Sequence, residues 1–200
     1  MSERERDYMP LGLRVLDEQL VDSEGRRCGR VEDLELGGGP GQTAHVVAVL
    51  CGATAWKRRL PRWLADLFPG DPRQLRRVPW NQVQTAASEV QLDRPETELT
   101  RASDTDSGAL ALSQLLSAKV IGPRGDKRGR VHDVVATRRA HSDEPWAVHC
   151  LLVGRHALAP RIGFSPAATR ALYEGEMPND VIKWSDVERI DENGSLIVRR

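Results

Sequence analysis

One pattern occurs twice in this chain, and it constrains the fold more than any other feature. GRRCGRVEDL at 25–34 returns as GDKRGRVHDV at 125–134. At a spacing of 100 residues, Gly25, Gly29, Arg30, Val31 and Asp33 meet Gly125, Gly129, Arg130, Val131 and Asp133. At 102, the run 49–52 meets 151–154; at 104, Trp80 and Val83 meet Trp184 and Val187; at 106, the run 90–92 meets 196–198. Four blocks in one order, at slowly lengthening spacings, make a tandem duplication. Between the copies lies DRPETELTRASDTDSG at 93–108, rich in Thr, Ser, Asp and Glu, which is linker composition. The 200 residues therefore divide into a polar N-terminal tail (1–11), a first domain (12–92), a polar linker (93–110) and a second domain (111–200). A copy of roughly 80 residues is too short for a parallel α/β unit and sufficient for a small barrel or sandwich.

Within each copy the pattern is mostly strand. Residues 19–22 and 119–121 lead into Gly-containing turns, after which 30–36 and 130–137 resume β-branched sequence, and each pair reads as a hairpin. The apolar runs 45–50 and 146–153 lack strict alternation, as strands covered on both sides do. Each copy then carries one short helix. In the first, Leu60, Trp63, Leu64, Leu67 and Phe68 share a face over 59–68; in the second, Ser165 and Pro166 sit as N-cap and first helical residue ahead of Leu172 and Tyr173. Trp80 and Trp184 precede Asn81 and Ser185, which read as caps of a single helical turn before the last strand. The expected fold is mainly β, two small barrels in tandem.

A hairpin with G-x-x-x-G-R-V-x-D, an apolar strand, a variable insert, then Trp followed by Asn or Ser, one residue, Val and a closing strand resembles the PRC-barrel domain. That family includes the cytoplasmic domain of the photosynthetic reaction-centre H subunit and the C-terminal domain of a ribosome-maturation factor. The resemblance covers 16–92 and 112–198. It implies two PRC-type β-barrels, each with one short helix, joined by the polar linker. Such barrels often self-associate, so it also implies a homo-oligomer or an internal pseudo-dimer of the two copies. The chain lacks the membrane helix of the one relative and the separate N-terminal barrel of the other, so neither function is carried over with the fold.

A phosphate-binding glycine loop places its free N–H groups at a helix N-terminus. Here β-type sequence follows the second glycine directly, so Gly25, Gly29, Gly125 and Gly129 are expected to serve a tight turn and a bulge. Arg30 and Asp33, with Arg130 and Asp133, read as a repeated structural pairing rather than ligand contacts. The sharpest local feature is WKRRLPRWLADLFPGDPRQLRR at 56–77, where seven basic residues face two aspartates and leave five net positive charges. Basic residues beside Trp56 and Trp63 suit RNA, an anionic membrane surface or an acidic protein partner; the plainer reading is a short helix plugging the barrel, with solvated arginines.

Acidic and basic residues balance at 29 each, which removes any chain-wide attraction to nucleic acid or anionic membranes. His132, His141, His149 and His156 are spaced seven to nine residues apart, unlike metal-ligand pairs, so no metal is expected. Cys28, Cys51 and Cys150 form no C-x-x-C pair. No nucleophile, P-loop or zinc-protease motif occurs, so no catalytic residue and no cofactor are assigned. The N-terminus, MSERERDYMP, has no apolar run for a signal peptide or membrane helix, and a cytoplasmic protein without an integral membrane segment is expected. The function expected is a non-catalytic adaptor that docks a protein partner, with Trp56, Arg58, Arg59, Arg62 and Trp63 as first contacts. The alternative is an RNA- or ribosome-associated module using the 56–77 segment.

Overall fold

The computed structural model describes residues 6–52, 75–86, 88–99, 109–140, 142–154 and 181–199. Both helices expected on sequence, at 59–68 and from Ser165, lie outside these residues. The described chain is mainly β. From the N-terminus come β1 (Arg6–Pro10), α1 (Leu11–Arg14), β2 (Gln19–Val21), β3 (Arg27–Gly37), β4 (His45–Cys51), β5 (Arg76–Pro79), β6 (Val83–Ala86) and β7 (Val90–Leu92). Then come β8 (Leu110–Ala111), α2 (Leu112–Leu115), β9 (Lys119–Ile121), β10 (Lys127–Arg139), β11 (Ala147–Val153), β12 (Val181–Lys183), β13 (Val187–Ile190) and β14 (Leu196–Val198).

These elements form two compact units, neither of them a continuous stretch of chain. One, here the β10 unit, comprises Met1–Leu13, Gly38–His45 and Gln114–Arg200; the other, the β3 unit, comprises Arg14–Gly37 and Val46–Ser113. In the β3 unit, β2 pairs antiparallel with β3 and parallel with β7, which pairs antiparallel with β6. In the β10 unit, β9 pairs in the same way with β10 and β14, and β14 with β13. Both hairpins slip register beside their second glycine, where Leu20 faces Gly29 and Val120 faces Gly129. Gly29 and Gly129 have φ of 124° and 130°, a backbone that side chains rarely adopt, and the strand runs straight on from each. No helix begins there.

Strands β4 and β11 repeat one burial pattern and end in four consecutive buried residues, which explains the missing alternation in their sequences. Among the described residues each copy also has one 3₁₀ turn, Trp80–Gln82 and Trp184–Asp186, ahead of β6 and β13. Asn81 and Ser185 do not cap these turns. The chain arrives extended at Pro79 and Lys183, which occupy the N-cap positions without a side-chain hydrogen bond, so the tryptophan itself opens the turn.

The repeat boundaries and the unit boundaries do not coincide. Residues 6–10, counted with the polar tail on composition, form β1 and pair antiparallel with β10 from Arg6↔Arg139 to Pro10↔Val135. Met9 is 6% exposed and Tyr8 packs against Val135, Cys150 and Leu152, so a few apolar residues in a charged context seat this segment beside β10. In the β3 unit the corresponding place beside β3 is taken by β8, with Glu35↔Ala111 and Leu36↔Leu110. Each unit thus takes the strand ahead of its hairpin from the opposite repeat. Within the linker, Glu96–Glu98 forms a 3₁₀ turn, and Leu110 belongs to β8.

Candidate functional site

Six polar or charged side chains are buried among the described residues: Asp22, Asp33, Glu35, Asp133, Thr137 and Ser195. Burial of such groups is costly unless they are bonded, so their partners show what each is for. Asp133 Oδ1 accepts the N–H groups of Gly12 (2.7 Å) and Val134 (2.7 Å), and its Oδ2 accepts that of Leu13 (3.1 Å). Asp33 Oδ1 accepts the N–H groups of Leu34 (2.8 Å) and Ser113 (3.1 Å), while its Oδ2 accepts the Ser113 hydroxyl (2.5 Å). The repeated aspartate therefore anchors the first turn of the donated helix in both units, taking amides that a helix start leaves unsatisfied. The repeated arginines do not share in this. Arg30 and Arg130 are exposed, and Arg130 Nη1 donates to the Ser117 carbonyl at 2.8 Å.

Asp22 has no counterpart, since Gly122 stands at its place in the second copy. Its carboxylate accepts the N–H groups of Glu24 (2.9 Å), Arg26 (2.8 Å) and Glu96 (3.0 Å) and the Arg26 guanidinium at 3.0 Å, tying the hairpin turn to the start of the linker. Desolvation pushes this carboxyl up, but the Glu96 and Arg26 amides, the Arg26 side chain and the Glu24 amide together bring it down to about 2. Arg76 pairs with Glu96 alongside. Thr137 donates its hydroxyl to the Asp7 carbonyl at 3.0 Å, holding β1, and Ser195 donates its backbone N–H to Asp191 Oδ1 at 2.7 Å in the last turn.

Glu35 and Arg77 form an ion pair at 2.6 Å, with side chains 1% and 25% exposed. At the spacings of the repeat these two positions become Val135 and Val181. Val181 packs against a buried cluster of Val135, Cys150 and Leu152, to which Tyr8 also contributes. One copy holds this place with charge and the other with hydrocarbon.

The cysteines are not activated. Burial pushes Cys51 and Cys150 up to about 12, and burial followed by the Asp22 and Glu96 charges pushes Cys28 up to about 11. Among the described residues, no three His, Cys, Asp or Glu side chains gather as a metal site. His141 and His156 lie outside the described residues. So do Trp56, Arg58, Arg59, Arg62 and Trp63, the contacts expected on sequence.

A different surface stands out within the β10 unit. A cavity of about 410 Å³ is lined by Gly41, Gln42, Thr43, Val148, His149, Lys183, Trp184, Ser185 and Arg199, with no carboxylate in its wall. Trp184 is 3% exposed and its indole donates to the Gln42 carbonyl at 2.9 Å, tying the 3₁₀ turn to the Gly41–Thr43 loop. The His149 ring meets Tyr8 edge-on, centroids 5.4 Å apart. Lys183 ends β12 and Arg199 follows β14, both exposed. Trp80, the counterpart of Trp184, is half-buried in the β3 unit.

No charge run or motif marks this surface in the sequence, because its two cations lie sixteen residues apart. The signal that could have found it is the repeat itself. Lys183 stands where the first copy has Pro79, and Arg199 where it has Asp93. Matching backbone bonds fix the second equivalence: Arg199 N–H donates to the Asp186 carbonyl and Asp93 N–H to that of Gln82, both at 2.9 Å.

The sequence matches no family model and no curated protein.

Proposed function

We propose that the chain is a non-catalytic protein-interaction module, built from two small PRC-type β-barrels and acting in the cytoplasm. The observation that carries the reading is the division of labour among polar groups. The buried carboxylates each hold a loop, a helix start or an ion pair, while cationic side chains the fold does not use border an exposed cavity. Chemistry on a substrate needs buried or activated groups aimed at a common point; docking a partner needs a shaped surface with charge at its rim. The barrel reading is supported by the like pairing of β2, β3, β7 and β6 in one unit and of β9, β10, β14 and β13 in the other. No described helix is long and apolar enough to cross a membrane.

The test is affinity capture of the tagged full-length protein from its native lysate, with and without RNase. A defined protein set that survives RNase supports the module. Loss of the whole set on RNase treatment refutes it in favour of the RNA- or ribosome-associated alternative.

A further inference from the structure

We propose that the cavity between the Gly41–Thr43 loop and Lys183, Trp184 and Arg199 is a docking site for an acidic peptide segment of a partner protein, its Asp or Glu side chains received by Lys183 and Arg199. This deepens the interaction-module reading and rests on it.

Nine residues line the cavity, among them a lysine, an arginine and a histidine, with no Asp or Glu. The chain as a whole is neutral, so a wall without carboxylates is a local departure from its own composition. Neither Lys183 nor Arg199 enters any of the ion pairs found among the described residues, and what sets them apart from other exposed cations outside those pairs, such as Arg30 and Arg130, is that both line one cavity. Both cations line the same cavity, so a carboxylate received there gains attraction from each.

Comparison of the copies gives an independent line. The duplicated frame keeps the tryptophan, the 3₁₀ turn and the backbone bond that closes it, yet the flanking positions have diverged from Pro79 and Asp93 to Lys183 and Arg199. In the first copy Asp93 is occupied by Arg94 at 3.0 Å. Same scaffold, opposite charge: the difference lies in the rim and not in what holds it.

Size and shape narrow the occupant. A space of about 410 Å³ suits one or two side chains of an extended segment rather than a nucleic-acid duplex. Nucleic acid is bound by neutralising many phosphates along a track, which two cations and a histidine do not provide. The lining also includes Gln42, Thr43 and Ser185, which can hydrogen-bond a ligand, and the Trp184 indole holds the Gln42 carbonyl, so part of the lining is fixed before a ligand arrives.

The experiment titrates the full-length protein with a capped hexaglutamate peptide, following tryptophan fluorescence and heat, at low salt and near physiological ionic strength. Hexaglutamine, inorganic phosphate and a single-stranded RNA hexamer serve as the other arms. Hexaglutamate is expected to bind more tightly than hexaglutamine, with affinity falling as salt rises. Lys183→Ala/Arg199→Ala should weaken it about tenfold, the sum expected of two exposed charge pairs. Both residues are exposed, so an unchanged melting temperature will separate lost binding from lost folding. Equal binding of the two peptides, binding unaltered in the double variant, or tighter binding of RNA or phosphate than of hexaglutamate would each overturn the assignment. Lysate capture with the double variant separates the two levels. If the peptide fails to bind while an RNase-resistant protein set is still recovered, this site falls and the module reading stands; if no such set is recovered by the wild type either, both fall.

Discussion

Two valines in one copy stand where the other copy has a buried ion pair, and this supplies a double-mutant cycle already half performed by the sequence. Arg77 lies opposite Leu50 on β5 just as Val181 lies opposite Leu152 on β12, so the sites share one frame. Replacing Arg77 by Val strips Glu35, 1% exposed, of the guanidinium 2.6 Å away. Removing one partner of a buried pair costs about 3–5 kcal/mol, and the quarter-exposed arginine places this case near 3. Glu35→Val costs less, roughly 1–2 kcal/mol, because Arg77 can extend into solvent. The pair replaced together should come out within about 1 kcal/mol of the wild type or more stable, since two valines of this geometry already pack against Cys150 and Leu152 in the other copy. The single costs sum to about 4–5 kcal/mol and the double variant sits near zero, so the coupling energy is about 4–5 kcal/mol, above the range usual for contacting residues. Urea denaturation followed by fluorescence and circular dichroism reads it as midpoint shifts at constant slope, on the transition of the β3 unit if the units unfold separately. Additive single effects, or a double variant as weak as Arg77→Val, would refute the reasoning.

The anchoring aspartates and the hairpin turn give two further expectations. Asp133→Ala should destabilise the β10 unit by about 1–2 kcal/mol in thermal or urea unfolding, the range of a lost helix cap, and Gly12→Ala should mimic it because a Cβ there would lie 2.8 Å from Asp133 Oδ1. The Asp22 carboxyl sits at about 2 in the folded chain against about 3.9 unfolded, so its contribution is present above the unfolded value and lost as pH falls from about 5 toward 2. Asp22→Asn should therefore flatten that part of the stability-against-pH curve, and an unchanged acid limb would contradict the bonding described.

The hairpins, the apolar strands and the closing strands were legible in the sequence because each is specified locally: glycines where φ must be positive, β-branched runs around them, a tryptophan before the last turn. The expected strands at 19–22, 30–36, 45–50, 90–92 and their second-copy partners fall on β2, β3, β4, β7, β9, β10, β11 and β14. The first strand of each unit was not legible. Arg6–Pro10 carries Arg and Asp beside Tyr8 and Met9, too few apolar residues to show a period, and its pairing with β10 spans more than a hundred residues of chain. The caps assigned to Asn81 and Ser185 failed for a related reason: the extended Pro79 and Lys183 decide where the turn starts, and side-chain type alone does not report that. The cavity was hidden because its cations are scattered in sequence and meet only through β12 and the chain following β14.

The account stands on the assembly of each unit from both repeats, and deleting residues 1–10 tests that most directly. Hydrogen exchange on the shortened chain should show lost protection along the β10 stretch that faces β1, Val135 to Arg139, together with a lower melting temperature, while the β2–β3 hairpin keeps its protection. Unchanged exchange at Val135–Arg139 and an unchanged melting temperature would mean that residues 6–10 are the polar tail their composition suggests, and would contradict the account.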